Sequence, residues 1–274
     1  MTLKADLHIH TTASDGSDTP AEVVQKALEA GLRAIAISDH DTLSGVKLAQ
    51  QAAEGHGLEV LSGVEVNTYY EGREIHILGY LIDPNHPYFN DQLKKLQGDR
   101  LERVQQMIKK LKTFKINILL NRVLEIASGA SVGRPHLAQA MVEKGYVTTR
   151  QEAFNLYIGA GKKAFIPREN LSPKDAIQLI LQCRGVPVLA HPGLSKVENL
   201  LPELVSCGLK GLEVWHVSHP RLLEEHYHKV AQKYRLIATG GSDYHGTGHD
   251  VCNRLGAICA PYESVLQLKE LAGK

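Results

Sequence analysis

Short apolar segments that lead into histidine or a carboxylate recur along this chain of 274 residues. The first, residues 5–10, has the pattern of a strand and carries His8 and His10 two positions apart. Because side chains alternate faces along a strand, both imidazoles point the same way and can bind one metal ion. Similar strand-like segments lie at residues 34–38, 60–67, 74–82, 186–190, 211–215 and 235–239. Their alternation with segments of helical periodicity predicts an α/β fold with a parallel sheet and crossover helices.

Candidate metal ligands lie at or near the ends of these strands. The carboxyl ends of parallel strands meet at one face of such a fold, so we expect the candidates to converge there. They are His8, His10, Asp15, His40, Glu65, His76, His191, Asp243 and His245. A mixed nitrogen and oxygen set without thiolate favours Mn²⁺, with Fe²⁺, Zn²⁺ or Mg²⁺ as alternatives. Because the set exceeds the need of one ion, we expect two or three divalent metals to share it.

A basic helical segment between residues 91 and 170 interrupts the alternation of strand and helix. It holds 15 Lys and Arg against 7 Asp and Glu, a charge of +8, and the rest of the chain has a charge of −7. We therefore predict a catalytic barrel from residues 1–90 and 171–274, with residues 91–170 as a helical insertion that caps the substrate site. A basic cap would attract a polyanion, although a solvated helix face explains the same charges.

Four further residues are candidates for contact with substrate. Arg134 follows Gly133, which leaves room for close approach, and a guanidinium binds phosphoryl oxygens bidentately. We predict that Arg134 binds phosphate and takes part in catalysis, with assistance from His136. His136 and His191 are possible proton donors to the leaving oxygen. The alternative is a surface turn with a helix cap. His216 and His219 follow the strand-like segment at residues 211–215, at the face where the ligands converge.

Four motifs occur in the order of a known family. They are Asp6-Leu7-His8-Ile9-His10, Ser38-Asp39-His40-Asp41, Ala190-His191-Pro192 and Ser242-Asp243-Tyr244-His245. In these the chain resembles the PHP (polymerase and histidinol phosphatase) family of metal-dependent phosphoesterases. The resemblance implies a distorted (βα)₇ barrel with a trinuclear site. It also implies three ligand sets, namely His8, His10, Glu65 and Asp243, then Asp15, His40 and His245, and then Glu65, His76 and His191.

The basic insertion with Arg134 and His136 resembles one branch of that family, the 3′,5′-nucleoside bisphosphate phosphatases, some of which also trim short RNAs from the 5′ end. The resemblance implies removal of the 3′-phosphate from a substrate such as phosphoadenosine phosphate, or release of 5′-nucleotides from short RNA. We expect in-line attack by a hydroxide that bridges metals, with Arg134 and the cations stabilising the transferring group. Histidinol phosphate, a sugar phosphate and phosphotyrosine remain alternative substrates.

Two other classes of protein are considered as rivals. An amidohydrolase-type enzyme also opens with His-x-His, but it would require an eight-stranded barrel and a bridging lysine, and no strand-end lysine occurs here. A catalytically silent module that binds metal or RNA is disfavoured by the intact ligand set.

Composition places further bounds on the protein. No segment approaches the roughly 18 consecutive apolar residues of a membrane span. The chain opens directly into a ligand-bearing strand, which predicts a cytoplasmic protein without a cleavable signal peptide. Its four cysteines include no Cys-x-x-Cys pair, and we expect free thiols without a role. No obligatory protein partner is evident from the sequence.

Overall fold

The computed structural model describes residues 3–167, 171–246 and 254–274. Its strands are β1 (Lys4–Ile9), β2 (Ala34–Ile37), β3 (Glu59–Tyr70), β4 (Arg73–Tyr80), β5 (Val186–Leu189), β6 (Gly211–His216), β7 (Ile237–Gly241) and β8 (Ala260–Pro261). Within the described residues these strands form one sheet in the order β7-β6-β5-β4-β3-β2-β1-β8. The His10 N–H donates to the Tyr244 carbonyl at 2.8 Å, so the segment after β7 returns to β1. The predicted distorted barrel is confirmed, with the short β8 as an addition.

Helices connect most of the strands. Around the barrel lie α1 (Pro20–Glu29) and α2 (Ser44–Ala53). Between β4 and β5 lie α3 (Pro87–Thr113), α4 (Leu120–Ala127), α5 (Arg134–Glu143) and α6 (Arg150–Ala153), which continues into a π-helical turn (Phe154–Ile158). The later helices are α7 (Pro173–Gln182), α8 (Pro192–Ser195), α9 (Leu201–Ser206), α10 (Arg221–Tyr234) and α11 (Tyr262–Ala272). No helix in the described ranges combines the length and apolar character of a membrane span.

Local sequence explains where two of the barrel helices begin. Thr19 accepts a hydrogen bond from the Glu22 N–H, while the Glu22 carboxylate accepts one from the Thr19 N–H. Ser172 and Asp175 make the same reciprocal pair at the start of α7. A proline occupies the first turn of both helices, where its missing N–H costs nothing.

The sheet is mixed: the expectation of a parallel sheet is wrong for β4, and the added β8 also pairs antiparallel, with β1. β4 pairs antiparallel with both β3 and β5. The physical reason is the connection: Glu71 and Gly72 alone join β3 to β4, both with positive φ (45° and 83°). Two such residues make a hairpin, whereas a parallel pair needs a crossover of a dozen residues or more. His76 therefore enters the barrel from the middle of an antiparallel strand.

Asp6 joins the first strand to the segment that follows β7. Its Oδ1 accepts a hydrogen bond from the Ser242 N–H at 2.9 Å, and its Oδ2 accepts from Ser242 Oγ at 2.6 Å and from the Gly256 N–H at 2.9 Å. Burial raises the pKa of Asp6 to about 6, although these hydrogen bonds lower it. Because Asp243 follows Ser242 directly, this seam fixes Asp243 beside β1.

The helices between β4 and β5 share an apolar cluster apart from the barrel core. The cluster includes Val104, Met107, Leu111, Val123, Leu137 and Met141. The first half of α3 instead packs into the barrel core through Phe89, Leu93 and Leu96. One helix therefore holds the helical segment against the barrel. The division into a barrel and a cap of residues 91–170 stays a prediction.

Two glycine substitutions test the closure of the barrel. An added Cβ at Gly241 would lie 2.4 Å from the His8 nitrogen, so we expect Gly241→Ala to destabilise the protein by about 1–3 kcal/mol. Gly98 lies within α3, where an added Cβ meets no described heavy atom within 4 Å. We expect Gly98→Ala to stabilise by about 1 kcal/mol, because alanine is the better helix former. The midpoints of urea unfolding measure the stability of both variants. Equal midpoints would contradict the close packing of Gly241 against His8 in β1.

Candidate metal centre

All of the predicted metal ligands lie together at one end of the barrel. They come from β1, from the loops after β1, β2, β5 and β7, and from within β3 and β4. Their ligand atoms form groups with members within 4.8 Å of one another: His8, His10 and Asp243; His10, Asp15, His40 and His245; and Glu65, His76 and His191. These groups resemble the three expected sets, but the first lacks Glu65 and the second includes His10. That each set binds a metal stays a prediction.

Glu65 lies at the centre of the cluster. Its Oε1 is 2.6 Å from His76 Nδ1 and 3.0 Å from His191 Nε2. Its Oε2 lies within 3.3 Å of ring nitrogens of three other residues, His8, His10 and His40. One carboxylate thus faces two groups of imidazoles, the geometry that a bridging ligand requires.

Several buried imidazole nitrogens in the cluster fit a metal better than a hydrogen bond. In the described part of the chain, these atoms lack a hydrogen-bond partner: His8 Nε2, His10 Nδ1 and Nε2, His40 Nδ1, His76 Nε2 and His191 Nδ1. Leaving a buried polar atom unsatisfied costs about 1–3 kcal/mol, so a native protein rarely retains a cluster of them. Neutral imidazoles with carboxylates are the donors that Mn²⁺, Fe²⁺ and Zn²⁺ accept.

The carboxylates of the cluster are held in their charged form. Burial raises the pKa of Glu65, but the neighbouring rings of His76, His40 and His8 outweigh it and hold that pKa well below its usual value. Burial lowers the pKa of His10, yet Asp243 and Glu65 raise it to about 10. The end of the barrel is therefore a buried site that attracts positive charge.

Glu213 belongs to the site, although the sequence analysis did not select it. Its carboxylate is fully buried on β6, accepting a hydrogen bond from His8 Nδ1 at 2.9 Å and one from the His191 N–H at 2.7 Å. The first contact turns His8 Nε2 toward Glu65. Such outer contacts fix the orientation of ligating imidazoles. The sequence could have indicated this role, because Glu213 is the one charged residue in the apolar segment of residues 211–215.

Asp39 holds the loop that presents Asp15. It accepts hydrogen bonds from the Thr11 N–H at 2.7 Å, from Thr11 Oγ1 at 2.8 Å and from Ser14 Oγ at 2.6 Å.

The backbone has an uncommon conformation with positive φ at two predicted ligands. The φ angle is 24° at His191 and 50° at Asp243. Positive φ costs free energy in residues with a side chain and is characteristic of functional sites.

The structure places His216 beside the cluster and His219 farther out. His216 Nε2 lies 3.3 Å from Asp243 Oδ2, and His216 also shares a group of potential ligand atoms with His8 and Glu213. His219 uses one ring nitrogen to donate to the Val214 carbonyl at 2.8 Å and the other to accept from the Gly193 N–H at 3.2 Å. Contact of His216 and His219 with substrate stays a prediction.

A cleft lies next to the cluster and is lined by arginines of the inserted helices. Its walls include Asp15, His40, Asn67, His76, Arg100, Arg103, Gly133, Arg134 and Phe154. Arg134 Nη2 lies 2.5 Å from Glu74 Oε2, and Arg103 Nη2 lies 2.6 Å from Glu74 Oε1. The cleft thus places Arg134 near the predicted metal ligands, and its binding of phosphate stays a prediction. Arg100 and Arg103 were not selected from the sequence, because a basic helix does not reveal which side chains face the barrel.

His136 has a structural role at the start of α5. Its Nδ1 accepts a hydrogen bond from the Gly133 N–H at 3.0 Å, which satisfies a helix N-terminus that has no other side-chain cap. Burial lowers the pKa of His136. The sequence analysis gave such a helix cap as the alternative to a role in phosphate binding. A catalytic role for His136 stays a prediction.

Comparison with known proteins agrees with this geometry. The PHP domain family matches residues 6–157. A phosphoribosyl 1,2-cyclic phosphate 1,2-diphosphodiesterase of Eggerthella lenta is 34% identical over 251 residues, covering 88% of this chain and 94% of that protein. A 5′-3′ exoribonuclease of Haemophilus influenzae is 34% identical, covering 89% and 91% of the two chains. A 3′,5′-nucleoside bisphosphate phosphatase of Chromobacterium violaceum is 31% identical and covers 97% of each.

A solved structure shows the same fold. It is a protein of Bifidobacterium adolescentis assigned as a metal-dependent phosphoesterase, with a TM-score of 0.89 and 33% identity, covering 97% of this chain and 96% of that one. The family resemblance seen in the sequence motifs is thereby confirmed. The chain belongs to the PHP domain family and is a metal-dependent phosphoesterase.

Proposed function

We propose that this phosphoesterase removes the 3′-phosphate of 3′,5′-nucleoside bisphosphates or releases 5′-nucleotides from short RNAs. The observation that carries the proposal is the cleft in which Arg100, Arg103 and Arg134 lie beside His40 and His76. Guanidinium groups bind phosphate oxygens through paired N–H donors. A substrate with more than one phosphate could therefore contact the cluster and the arginines together. Relatives named for both activities align over most of this chain.

Ion pairs hold the arginines of the cleft in place. Burial raises the pKa of Glu74, but Arg134 and Arg103 lower it to about 2, so its carboxylate is charged. Arg100 Nε donates to Asp41 Oδ2 at 2.5 Å. Each contact engages part of a guanidinium that has five N–H donors. The arginines are thus oriented before substrate arrives, which lowers the entropy cost of binding.

The metal cluster would supply the hydrolytic chemistry. Divalent cations lower the pKa of water and neutralise phosphoryl oxygens when they are bound in such a site. The three ligand groups would hold them, with Glu65 shared between groups and Glu213 orienting His8. We propose Mn²⁺ as the working metal, with Fe²⁺, Zn²⁺ or Mg²⁺ as alternatives. Arg134 would bind the phosphoryl group during transfer.

Other substrates are outcomes of the same test. Histidinol phosphate and other small phosphomonoesters are alternative substrates. The name of the Eggerthella lenta relative suggests a further alternative, a cyclic phosphodiester. The sheet has eight strands, and a solved structure from Chromobacterium violaceum that is 30% identical is described as an amidohydrolase. The amidohydrolase rival is nevertheless disfavoured, because no lysine is among the buried charged residues of the described ranges. A cytoplasmic location stays a prediction.

Removal of Arg134 tests the assignment of the cleft. With Mn²⁺ present, we expect the protein to hydrolyse adenosine 3′,5′-bisphosphate and short 5′-phosphorylated RNA. We expect Arg134→Ala to lower kcat/KM roughly 10- to 100-fold, the loss of one charge-assisted contact. Phosphate release and product chromatography provide the measurement, with histidinol phosphate and phosphoribosyl 1,2-cyclic phosphate in the same panel.

Arg122→Ala is the matched control, because Arg122 lies on α4, pairs with Glu125 and Glu143 and has a side chain 44% exposed. Equal losses in the two variants would refute a specific role for Arg134. Turnover of histidinol phosphate or the cyclic phosphate alone would leave the phosphoesterase chemistry intact and refute the proposed substrates.

Metal titration tests the roles of Glu65 and Glu213. We expect Glu65→Gln to reduce the number of Mn²⁺ ions bound by protein stripped with a chelator, because it alters the shared carboxylate. We expect Glu213→Gln to keep that number and to weaken affinity roughly 10- to 100-fold, the usual effect of losing a contact that orients a ligand. Isothermal titration calorimetry measures both. His226→Gln is the control, since His226 is exposed and pairs with Glu198; unchanged stoichiometry in Glu65→Gln would contradict the shared ligand.

A further inference from the structure

A path of basic and aromatic side chains leads away from the arginine cleft along α3. The Arg103 guanidinium lies 5.4 Å from the ring centre of Phe165. Farther along the helix, Lys110 Nζ donates a hydrogen bond to the Phe165 carbonyl at 3.0 Å. Just past the end of α3, Lys163 Nζ lies 5.8 Å from the ring centre of Phe114. The loop that contains Lys163 and Phe165 thus runs antiparallel to α3, and we call these five residues the α3 track.

The α3 track is continuous with the cleft at one end and reaches solvent at the other. Arg103 lines the cleft, and the guanidinium of Arg134, which also lines it, lies 5.8 Å from the Phe165 ring. Phe114 is 41% exposed. At 1.5 Å per residue, the helix carries the track about 16 Å from Arg103 to Phe114. A ligand longer than the cleft could therefore extend along α3.

Beyond Arg103, which pairs with Glu74, the charged residues along the track are all basic. Residues 104–124 contain five Lys and Arg and no Asp or Glu, and residues 153–167 contain Lys162 and Lys163 without an acid. Lys110 and Lys163 are both exposed. A solvated helix face would usually mix acids with its bases and would not require an exposed ring such as that of Phe114 beside them. Cations that alternate with aromatic rings are the surface that single-stranded nucleic acids bind.

We propose that the α3 track binds the nucleotides of a single-stranded RNA that extend beyond the arginine cleft. The inference rests on the proposed function and narrows it, because it favours RNA over the free bisphosphate. A base stacks on the exposed ring of Phe114, while Lys110 and Lys163 contact backbone phosphates. A bisphosphate is too short to leave the cleft, so the track gives it no added affinity.

Chain length provides the test. With Mn²⁺ present, we expect the wild-type protein to show a higher kcat/KM for a 5′-phosphorylated octanucleotide than for the dinucleotide. We expect Phe114→Ala and Lys163→Gln each to lower the octanucleotide value roughly tenfold, because base stacking and phosphate contact are lost. The values for the dinucleotide and for adenosine 3′,5′-bisphosphate should not change. A length dependence that is the same in all the proteins would overturn the proposal.

Lys94→Gln is the matched control for charge. Lys94 lies on α3 about 30 Å from Phe114, at 1.5 Å per residue. It pairs with Asp91, and its side chain is 75% exposed. The substitution removes the same charge as Lys163→Gln. Equal losses on the octanucleotide would show a diffuse effect of net charge and would refute a defined track.

Binding without catalysis separates this proposal from the proposed function. Fluorescence anisotropy of a labelled octanucleotide with chelator-treated protein requires no turnover. We expect Lys163→Gln to reduce the slope of log affinity against log salt by about 0.7, the value for one phosphate contact on a single strand. If the wild-type protein hydrolyses neither RNA nor bisphosphate, the proposed function fails, and reduced binding by both variants would still support the track. Binding that is unchanged in both variants overturns it.

Discussion

Glu65 is the constraint around which the active end of the barrel is organised. Its two oxygens face five imidazoles from four segments of the chain: His8 and His10, then His40, His76 and His191. Polar groups buried at this density are costly unless each is paired, and a half-paired network costs more than an apolar core. Bound cations would satisfy both the carboxylates and the ring nitrogens that lack a hydrogen bond. Metal binding would then be coupled to the stability of this end of the barrel.

The hairpin of β3 and β4 connects the predicted metal centre to the arginine cleft. β3 presents Glu65, and β4 presents His76 to the same cluster. Two residues before His76, on the same face of β4, Glu74 pairs with Arg103 and Arg134. Because alternate residues of a strand point the same way, one short strand fixes both the ligand and the arginines. A shift of register in this hairpin would move both parts of the site together.

The barrel and the inserted helices contribute different side chains to the candidate site. The barrel supplies the predicted metal ligands, and Asp6 and Glu213 hold the backbone and the rings from outside the cluster. The inserted helices supply the arginines and pack around their own apolar cluster. Because α3 packs in both regions, it connects the inserted helices to the barrel core. If the arginines bind substrate as we propose, the insertion would contribute to substrate preference.

Much of this site was determined by the sequence alone. Residues such as His8 and His10, or Asp243 and His245, are spaced two apart at strand ends, and this local pattern survives any packing of the strands. The basic helical segment was equally visible, because composition and periodicity are local properties. Tertiary structure decided what depends on residues far apart in the chain. It determines that β4 is antiparallel, that Glu213 contacts His8, and that Arg100 and Arg103 face the cleft among the many basic residues of α3. It also determines that His136 caps α5. The partner that a side chain contacts depends on packing and not on its neighbours in sequence.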